Sequence, residues 1–347
     1  MIPTAIRYLI EGAHQAPSAD NSQPWSFAWD GHTLTVRYLN NGPGAAVFGS
    51  DSHCEQLTMG AVIENLVQLA DSIGMTGDWD SQRQGTNYLR FSPDSVNVEK
   101  ALDRAHPVFT RHTNRFSFLK QLLTESVIES IEGLAENDCA VVIYRDANDI
   151  AALSHLIRDA SSMRFRNRQL HEWFGETLRF SPEQVARGNG LDVRTIELPP
   201  GGSALLHLIK DWRRMAFLNR LGMYRVLSQI ESQAANQSPA FVAVLCPPDE
   251  AVMAGRLMER VWLNLERLGL SAQPYYVLSD QLVRLEKCQL PEGLVAEGRQ
   301  LSKQARGFFG GESFPHMLLR VGYANKPAPR SRRLPLDSVI ETAPSPP

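Results

Sequence analysis

The sequence GAVIENLVQLADSIGM at residues 60–75 matches GRLMERVWLNLERLGL at residues 255–270 at a constant offset of 195 positions. Both copies have glycine at each end and a glutamate at the same step, Glu64 and Glu259, with apolar residues at most matching positions. Glycine at a buried position lets another backbone come close. The repeat indicates two related halves that pack against each other, and chance agreement between two amphipathic helices is the alternative.

The periodicity on either side of these helices predicts a chain of mixed helices and strands. Apolar residues at helical spacing predict helices over 4–15, 53–73 and 249–268, the last capped by Asp249. Short apolar or alternating runs predict strands at 26–29, 33–39, 76–97, 140–144, 240–245 and 317–323. Residues 99–134 are expected to hold two helices, the second opened by Thr124, and residues 148–236 to be mainly helical.

The composition is that of a globular protein with a sizeable core. The chain has 347 residues, of which 43% are apolar and 21% are charged, and its formal net charge is −3. This charge gives no electrostatic reason to expect nucleic acid or an anionic membrane as a partner. A small molecule is therefore the expected partner.

The cysteines and the N-terminus predict a cytoplasmic protein. The four cysteines are widely scattered and form no C-x-x-C pair, so they are expected to be free thiols in a reducing compartment: Cys54, Cys139, Cys246 and Cys288. The first seven residues lack the features of a signal peptide, and no apolar run is long enough to span a bilayer.

The loop APSADNSQPW at residues 16–25 is rich in short polar and amide side chains. Pro17 and Pro24 keep it out of a helix, because proline lacks a backbone donor and restricts the residue before it. One interpretation is a plain turn anchored by a buried Trp25. The other is a loop that presents polar atoms to a flat, hydrogen-bonding ligand.

Two basic stretches are candidate phosphate-binding segments. The first reads Thr-Arg-His-Thr-Asn-Arg-Phe over 110–116, so Arg111 and Arg115 flank the hydroxyl of Thr113. The planar donors of arginine hold phosphate oxygens in pairs, and threonine adds a hydroxyl donor. Near the end, Arg330 to Arg333 supply further basic side chains. The alternatives are a solvated basic turn and a charged tail.

Together these three stretches resemble the FMN-dependent nitroreductase family. In that family an arginine–hydroxyl–basic motif and a C-terminal basic segment bind the flavin phosphate, and a P-S-x-x-N-x-Q-P-W loop lies beside the flavin. The resemblance implies FMN as cofactor and gives binding roles to Pro17, Ser18, Asn21, Gln23, Arg111, His112, Thr113, Arg115, Arg330 and Arg333, with Arg332 uncertain. A family turn, G-L-x-x-x-P, resembles residues 269–274 and adds Gln273, Pro274 and Tyr275.

The order of the motifs departs from the common family, because the arginine motif here follows the loop. This order resembles the Acg-type branch, in which one chain folds as two nitroreductase-like halves around a single flavin site. The resemblance implies an α+β fold with mixed or antiparallel sheets packed with helices. It divides the chain into an N-terminal half (1–147), a helical insertion or lid (148–236) and a C-terminal half with a basic arm (237–347). A monomeric pseudo-dimer or a homodimer would follow.

The function implied by the resemblance is flavin-dependent hydride transfer between NAD(P)H and a small organic acceptor. No side-chain nucleophile is required, since the flavin supplies the chemistry. The nitro or quinone class of acceptor and a specific biosynthetic metabolite both stay open. The alternative function is a flavin-binding protein whose site is closed by the helical insertion. The histidines lack metal-ligand spacing and are expected to be structural.

Overall fold

The computed structural model describes residues 1–39, 47–49, 51–311 and 313–341. The elements before the insertion are α1 (Thr4–Ala13), β1 (Trp25–Trp29), β2 (Leu34–Tyr38), α2 (His53–Ile73), β3 (Gly77–Asp80), β4 (Asn87–Pro93), α3 (Pro107–Thr110), α4 (Glu125–Glu132) and β5 (Ala140–Tyr144). Those of the insertion are α5 (Ala147–Arg166), α6 (Arg168–Thr177), β6 (Leu178–Arg179), α7 (Pro182–Val185), β7 (Leu191–Asp192), α8 (Gly202–Ile209), α9 (Trp212–Arg220) and α10 (Met223–Asn236). The remaining elements are β8 (Ala240–Cys246), α11 (Ala251–Arg267), β9 (Ser271–Tyr275), α12 (Val277–Glu286), α13 (Val295–Phe309) and β10 (Phe314–Gly322).

Two four-stranded sheets share one topology. The first has the order β1-β2-β4-β3 and the second β5-β8-β10-β9, and every pairing within them is antiparallel. In each sheet the second strand along the chain leads to a long helix, α2 or α11, before the third strand begins. The mixture of helices and antiparallel sheets confirms the predicted α+β class.

Helices α2 and α11 pack together at their repeated glycines. A Cβ on Gly60 would lie 2.1 Å from the carbonyl oxygen of Val252, and a Cβ on Gly255 would lie 2.1 Å from that of Leu57. These two contacts are equivalent, because the same offset of the repeat relates Leu57 to Val252 and Gly60 to Gly255. Only glycine permits such an approach of two backbones.

The second sheet is buried on both faces. Along β8, Ala240, Val242 and Val244 join a core with α2 and α11, while the alternate residues Phe241 and Ala243 join a second core. Helices α5, α12 and α13 supply most of this second core, so the first helix of the insertion is packed against the sheet. This alternation explains why β8 reads as a continuous apolar run.

Most predicted elements are present, and several details are wrong. The α11 helix is preceded by Glu250 without a side-chain cap, so Asp249 does not cap it. The first helix expected within 99–134 is only the short α3. The insertion also contains a two-stranded parallel pair, β6 and β7.

The cysteine prediction is wrong for two of the four thiols. Cys139, next to β5, forms a disulfide with Cys246 at the end of β8. Sequence spacing missed this pair because the fold, and not the chain, makes them neighbours. Cys54 is buried and free, and Cys288 is exposed and free. Cysteine usage therefore no longer indicates a reducing compartment. In the described ranges no helix has the length and apolarity needed to cross a bilayer.

Candidate functional site

Three of the arginines singled out in the sequence converge at one place. Arg111 follows α3, while Arg330 and Arg333 lie in the segment after β10. Arg333 Nη2 donates to the carbonyl oxygen of Gln15 over 2.7 Å, and Arg111 Nη2 donates to the same oxygen. Arg330 Nη2 donates to the carbonyl oxygen of Phe109 over 2.7 Å. The C-terminal segment thus folds back onto the arginine motif. We call Arg111, Arg330 and Arg333 the arginine cluster.

The buried end of the cluster contains a carboxylate. Arg111 Nε lies 3.0 Å from Glu259 Oε1, and the two side chains are 2% and 0% exposed. The guanidinium of Arg111 also lies 4.6 Å from the ring centroid of Trp262, in cation–π geometry. Both partners come from α11, so the repeated helix positions the innermost arginine.

The arginine cluster carries an excess of positive charge. Burial, together with the charges of Arg111 and Arg330, lowers the pKa of Arg333 to about 9, although Glu259 opposes this shift. Burial also raises the pKa of Glu259 to about 7, against the pull of Arg111 and Arg333. Glu266 also acts on Arg330 through its charge. The three arginines and these two carboxyl groups leave a net positive charge, which favours the binding of an anion here.

The loop at residues 16–25 lies against this cluster and has an unusual backbone. Asp20, Asn21 and Gln23 all have positive φ, at 45°, 62° and 53°. Left-handed backbone at non-glycine residues costs free energy and is concentrated at functional sites. The hydroxyl of Ser18 accepts a hydrogen bond from the backbone N–H of Gln23 over 3.0 Å and holds the turn. Oδ1 of Asn21 accepts from Nη1 of Arg333 over 2.6 Å.

The side-chain amides of the loop bind protein backbone. Gln23 Nε2 donates to the carbonyl oxygen of Gly188 over 2.9 Å, and its Oε1 accepts from the backbone N–H of Leu334 over 2.9 Å. Asn21 Nδ2 donates to the carbonyl oxygens of Arg332 over 2.8 Å and Gly188 over 3.2 Å. The insertion and the C-terminal segment therefore satisfy the amides that the sequence assigned to a ligand.

The end of the arginine motif lies along β9. The N–H of Asn114 donates to the carbonyl oxygen of Ala272 over 2.9 Å, and Thr113 pairs with the same residue as a parallel bridge. Next to this bridge, the buried Oε1 of Gln273 has no hydrogen-bond partner among the described residues. The structure therefore places Thr113 and Asn114 beside β9, the strand that contains the predicted Gln273, Pro274 and Tyr275.

Arg115 faces a different group of side chains from Arg111. Its Nη1 donates to the hydroxyl of Thr195 over 3.3 Å. Burial lowers its pKa, while the charges of Asp20 and Tyr275 oppose this. Burial raises the pKa of Asp20, and Arg115 and Arg164 lower it. Arg115 thus lies between the loop, β9 and the insertion, outside the arginine cluster.

Three predicted residues have a local or backbone role. His112 Nδ1 pairs with the carbonyl oxygen of Thr110 over 3.1 Å. Pro274 lies within β9 opposite Leu319 of β10. Pro17 precedes the loop and is half-buried. In the described part of the chain, none of these three side chains forms a hydrogen bond with the arginine cluster.

The histidines take part in buried hydrogen bonds. His316 Nε2 lies 2.9 Å from the carbonyl oxygen of Pro247, which can only accept, so this nitrogen carries the proton. Its Nδ1 then accepts from His53 Nε2 over 2.8 Å, and His53 Nδ1 accepts from the hydroxyl of Tyr276 over 3.0 Å. Burial lowers the pKa of His53 to about 3 and that of His316 to about 4, so both rings are neutral. These hydrogen bonds give each ring nitrogen of His53 and His316 a partner.

Sequence reasoning missed Glu259, Trp262 and Gly188 as parts of this region. Glu259 was visible as the repeated glutamate, but nothing in the sequence shows that it meets Arg111. Trp262 lies at an apolar position of the helical pattern of α11, which predicts only a buried core residue. Gly188 lies in the insertion, which the resemblance does not cover, and its φ of 80° lets its carbonyl face the loop.

Comparison with known proteins gives distant structural similarity. No family model and no curated protein matches the sequence. An FMN-bound nitroreductase from Bacteroides fragilis is 8% identical (TM-score 0.37), over 67% of this chain and 95% of its own. The FMN-dependent nitroreductase NfnB from Mycobacterium smegmatis, in complex with NADPH, is 15% identical (TM-score 0.39), over 69% and 97%. A BluB-like flavoprotein from Clostridium difficile is 11% identical (TM-score 0.39), over 70% and 100%.

Proposed function

We propose that the chain is an FMN-dependent oxidoreductase in which the arginine cluster binds the flavin phosphate. The observation that carries this proposal is the excess of positive charge at Arg111, Arg330 and Arg333. A phosphate monoester carries about −1.5 to −2 charge at neutral pH and accepts several hydrogen bonds. It would therefore offset both the burial of Arg333 and the repulsion by Arg111 and Arg330, which together lower the pKa of Arg333 to about 9.

The surrounding residues fit the rest of a flavin. Gln273 Oε1 and Ser22 Oγ are buried polar atoms that have no hydrogen-bond partner in the described part of the chain. Each lies in a stretch that the motifs place beside the ring, and an unsatisfied buried polar atom costs free energy that a ligand can recover. Positive φ at Asp20, Asn21 and Gln23 turns this loop sharply next to the cluster.

The residues bind and orient, while the cofactor supplies the redox chemistry. When bound, FMN supplies hydride transfer at its N5 atom. The arginines hold the phosphate by charge-assisted hydrogen bonds. The loop and residues 273–275 would fix the plane of the ring, and the insertion would exclude water from it. The motifs imply NAD(P)H as the electron donor and a small organic acceptor.

The site is proposed to lie between two related halves of one chain, 1–147 and 237–347, with 148–236 as an insertion. The equal strand orders and the equivalent contacts at Gly60 and Gly255 support this division. Arg111 belongs to the first half, whereas Glu259 and Arg333 belong to the second. One chain would thus assemble a site that needs parts of both halves.

A second candidate function is flavin sequestration with little turnover. It is favoured by the carbonyl oxygen of Gly188, which accepts from the amides of both Asn21 and Gln23. The insertion in this position covers the loop on which an acceptor would have to dock. A closed site of this kind would hold a flavin but exclude substrates.

An absorbance spectrum of the protein reconstituted with FMN, followed by anaerobic NADPH, tests both functions. A bound flavin whose visible absorbance bleaches, and returns with a nitroaromatic or a quinone, supports the oxidoreductase. A bound flavin that is bleached by dithionite but not by NADPH supports sequestration. A protein that binds no FMN contradicts both.

A further inference from the structure

Helix α9 of the insertion exposes a face that is both basic and apolar. The exposed residues of this helix are Arg213, Arg214, Phe217 and Arg220, and the exposed Leu221 follows directly after it. Successive members of this set are one, three, three and one residues apart. This spacing places all five on one side of a helix. Phe217 is 61% exposed and Leu221 is 74% exposed, which is unusual for side chains of this size. We call these five residues the α9 face.

The exposed apolar residues are concentrated in the part of the sequence that contains this face. Nine large hydrophobic side chains are exposed in the described residues, and six of them lie between positions 205 and 230. Those outside the α9 face are Leu205, Leu208, Val226 and Ile230. Helix α9 keeps Met215 fully buried on its opposite side, so its exposed face is a second surface and not a misplaced core. A monomer gains nothing from exposing these side chains.

The charge on the α9 face is unpaired. Within the described part of the chain, no carboxylate lies within ion-pair distance of Arg213, Arg214 or Arg220. Asp211 is the nearest acid in sequence, and its side chain caps the helix at the N–H of Arg214. Arg225 adds a further exposed cation after the turn. The overall charge of −3 conceals this local excess.

We propose that the α9 face docks onto an anionic lipid bilayer. An interfacial helix needs apolar side chains that enter the acyl boundary and cations that meet the lipid headgroups, and this face offers both. A second copy of the chain fits less well, because a two-fold interface would bring the same arginines face to face. Nucleic acid would pair with the arginines but leave Leu221 and its apolar neighbours in water.

Vesicle co-sedimentation of the full chain tests the proposal. The probes are vesicles of phosphatidylcholine mixed with phosphatidylglycerol, and vesicles of phosphatidylcholine alone. Binding is expected with the mixed vesicles and is expected to weaken with salt. Each arginine near an anionic surface contributes about fivefold to partitioning, so R213Q/R214Q/R220Q should bind about a hundredfold more weakly. F217S/L221S should also lose binding, because the apolar anchors are gone.

Matched variants distinguish this face from general charge or hydrophobicity. R299Q/K303Q/R306Q removes three exposed cations from one face of α13, and L119S/L122S removes two exposed leucines elsewhere. Both controls should bind like the unchanged protein. Equal loss in a control and its partner variant would overturn the proposal, as would an absence of binding to the mixed vesicles. So would a dimer in solution that F217S/L221S dissociates, since the face would then be covered by a second copy.

Discussion

Replacing Glu259 by glutamine should stabilise the free protein above neutral pH and strengthen FMN binding at the same time. Glu259 is fully buried and is the ion-pair partner of Arg111. The E259Q side chain has nearly the same volume, so packing is kept, and at about pH 8, above the pKa of Glu259 of about 7, one negative charge is removed. The charge opposes both properties, because its burial costs more free energy than Arg111 and Arg333 return, and because it repels a bound phosphate.

The two effects have comparable sizes. Folding raises the pKa of Glu259 from 4.5 to about 7, so by linkage the neutral E259Q side chain should raise the free energy of unfolding by about 3 kcal/mol above pH 7. Two unit charges about 7 Å apart at an effective dielectric of about 20 interact by about 2 kcal/mol. FMN should therefore bind E259Q about 10- to 30-fold more tightly. Riboflavin, which lacks the phosphate, should bind both proteins alike.

Urea unfolding of the free protein and fluorescence titration with FMN and riboflavin measure these effects. E64Q is the matched control, because Glu64 is the equivalent buried glutamate of α2 and pairs with Arg256 over 3.2 Å and Arg260 over 2.7 Å. E64Q should be destabilised without a change in the ratio of FMN to riboflavin affinity. If E259Q binds FMN no more tightly than the unchanged protein does, the phosphate does not lie at the arginine cluster and the reasoning is refuted.

Three further predictions concern the fold. G60A and G255A should each lower the free energy of unfolding by about 2–3 kcal/mol in urea titrations, because both glycines contact backbone across the same pair of helices. A loss of stability in only one of the two variants would contradict their equivalence. Burial raises the pKa of Glu55 from 4.5 to about 8. Between these values the folded state binds more protons than the unfolded state, so the free energy of unfolding should fall by up to about 1.4 kcal/mol per pH unit as pH rises from about 5 to 8. The free energy of unfolding of E55Q, measured over the same range, should depend less on pH. Reduction of the Cys139–Cys246 disulfide, which spans 107 positions, should cost about 3–5 kcal/mol in unfolding with and without dithiothreitol; an unchanged midpoint would show that the bond is absent in solution.

The parts of the fold that depend on local pattern could be predicted from the sequence. The α2 helix begins after Ser52, whose hydroxyl accepts from the N–H of Glu55, and it ends at Gly74 with a φ of 69°, both of which are local signals. The contact of α2 with α11 was indicated because its glycines recur in both copies. The same residue types at the same step in two helices are a rare long-range signal in one sequence.

Contacts between distant segments could not be predicted. Cys139 and Cys246 become neighbours only because β5 and β8 pair in the second sheet. Arg111 and Glu259 are 3.0 Å apart in space but belong to different halves of the chain. The amides of the loop were expected to face a ligand, yet they bind the carbonyl of Gly188, from a segment whose sequence carries no sign of that contact. Such pairings depend on tertiary packing, which residue types alone do not encode.

The central claim, that the arginine cluster binds the phosphate of FMN, is tested most directly by comparing R333Q with R332Q. Arg333 contacts the loop and lies in the cluster, whereas the Arg332 side chain beside it is exposed. A charge-assisted hydrogen bond is worth about 1.5–3 kcal/mol, so R333Q should weaken FMN binding about 10- to 100-fold and leave riboflavin binding unchanged. R332Q should bind both like the unchanged protein. Equal affinity of the unchanged protein for FMN and riboflavin would contradict the account.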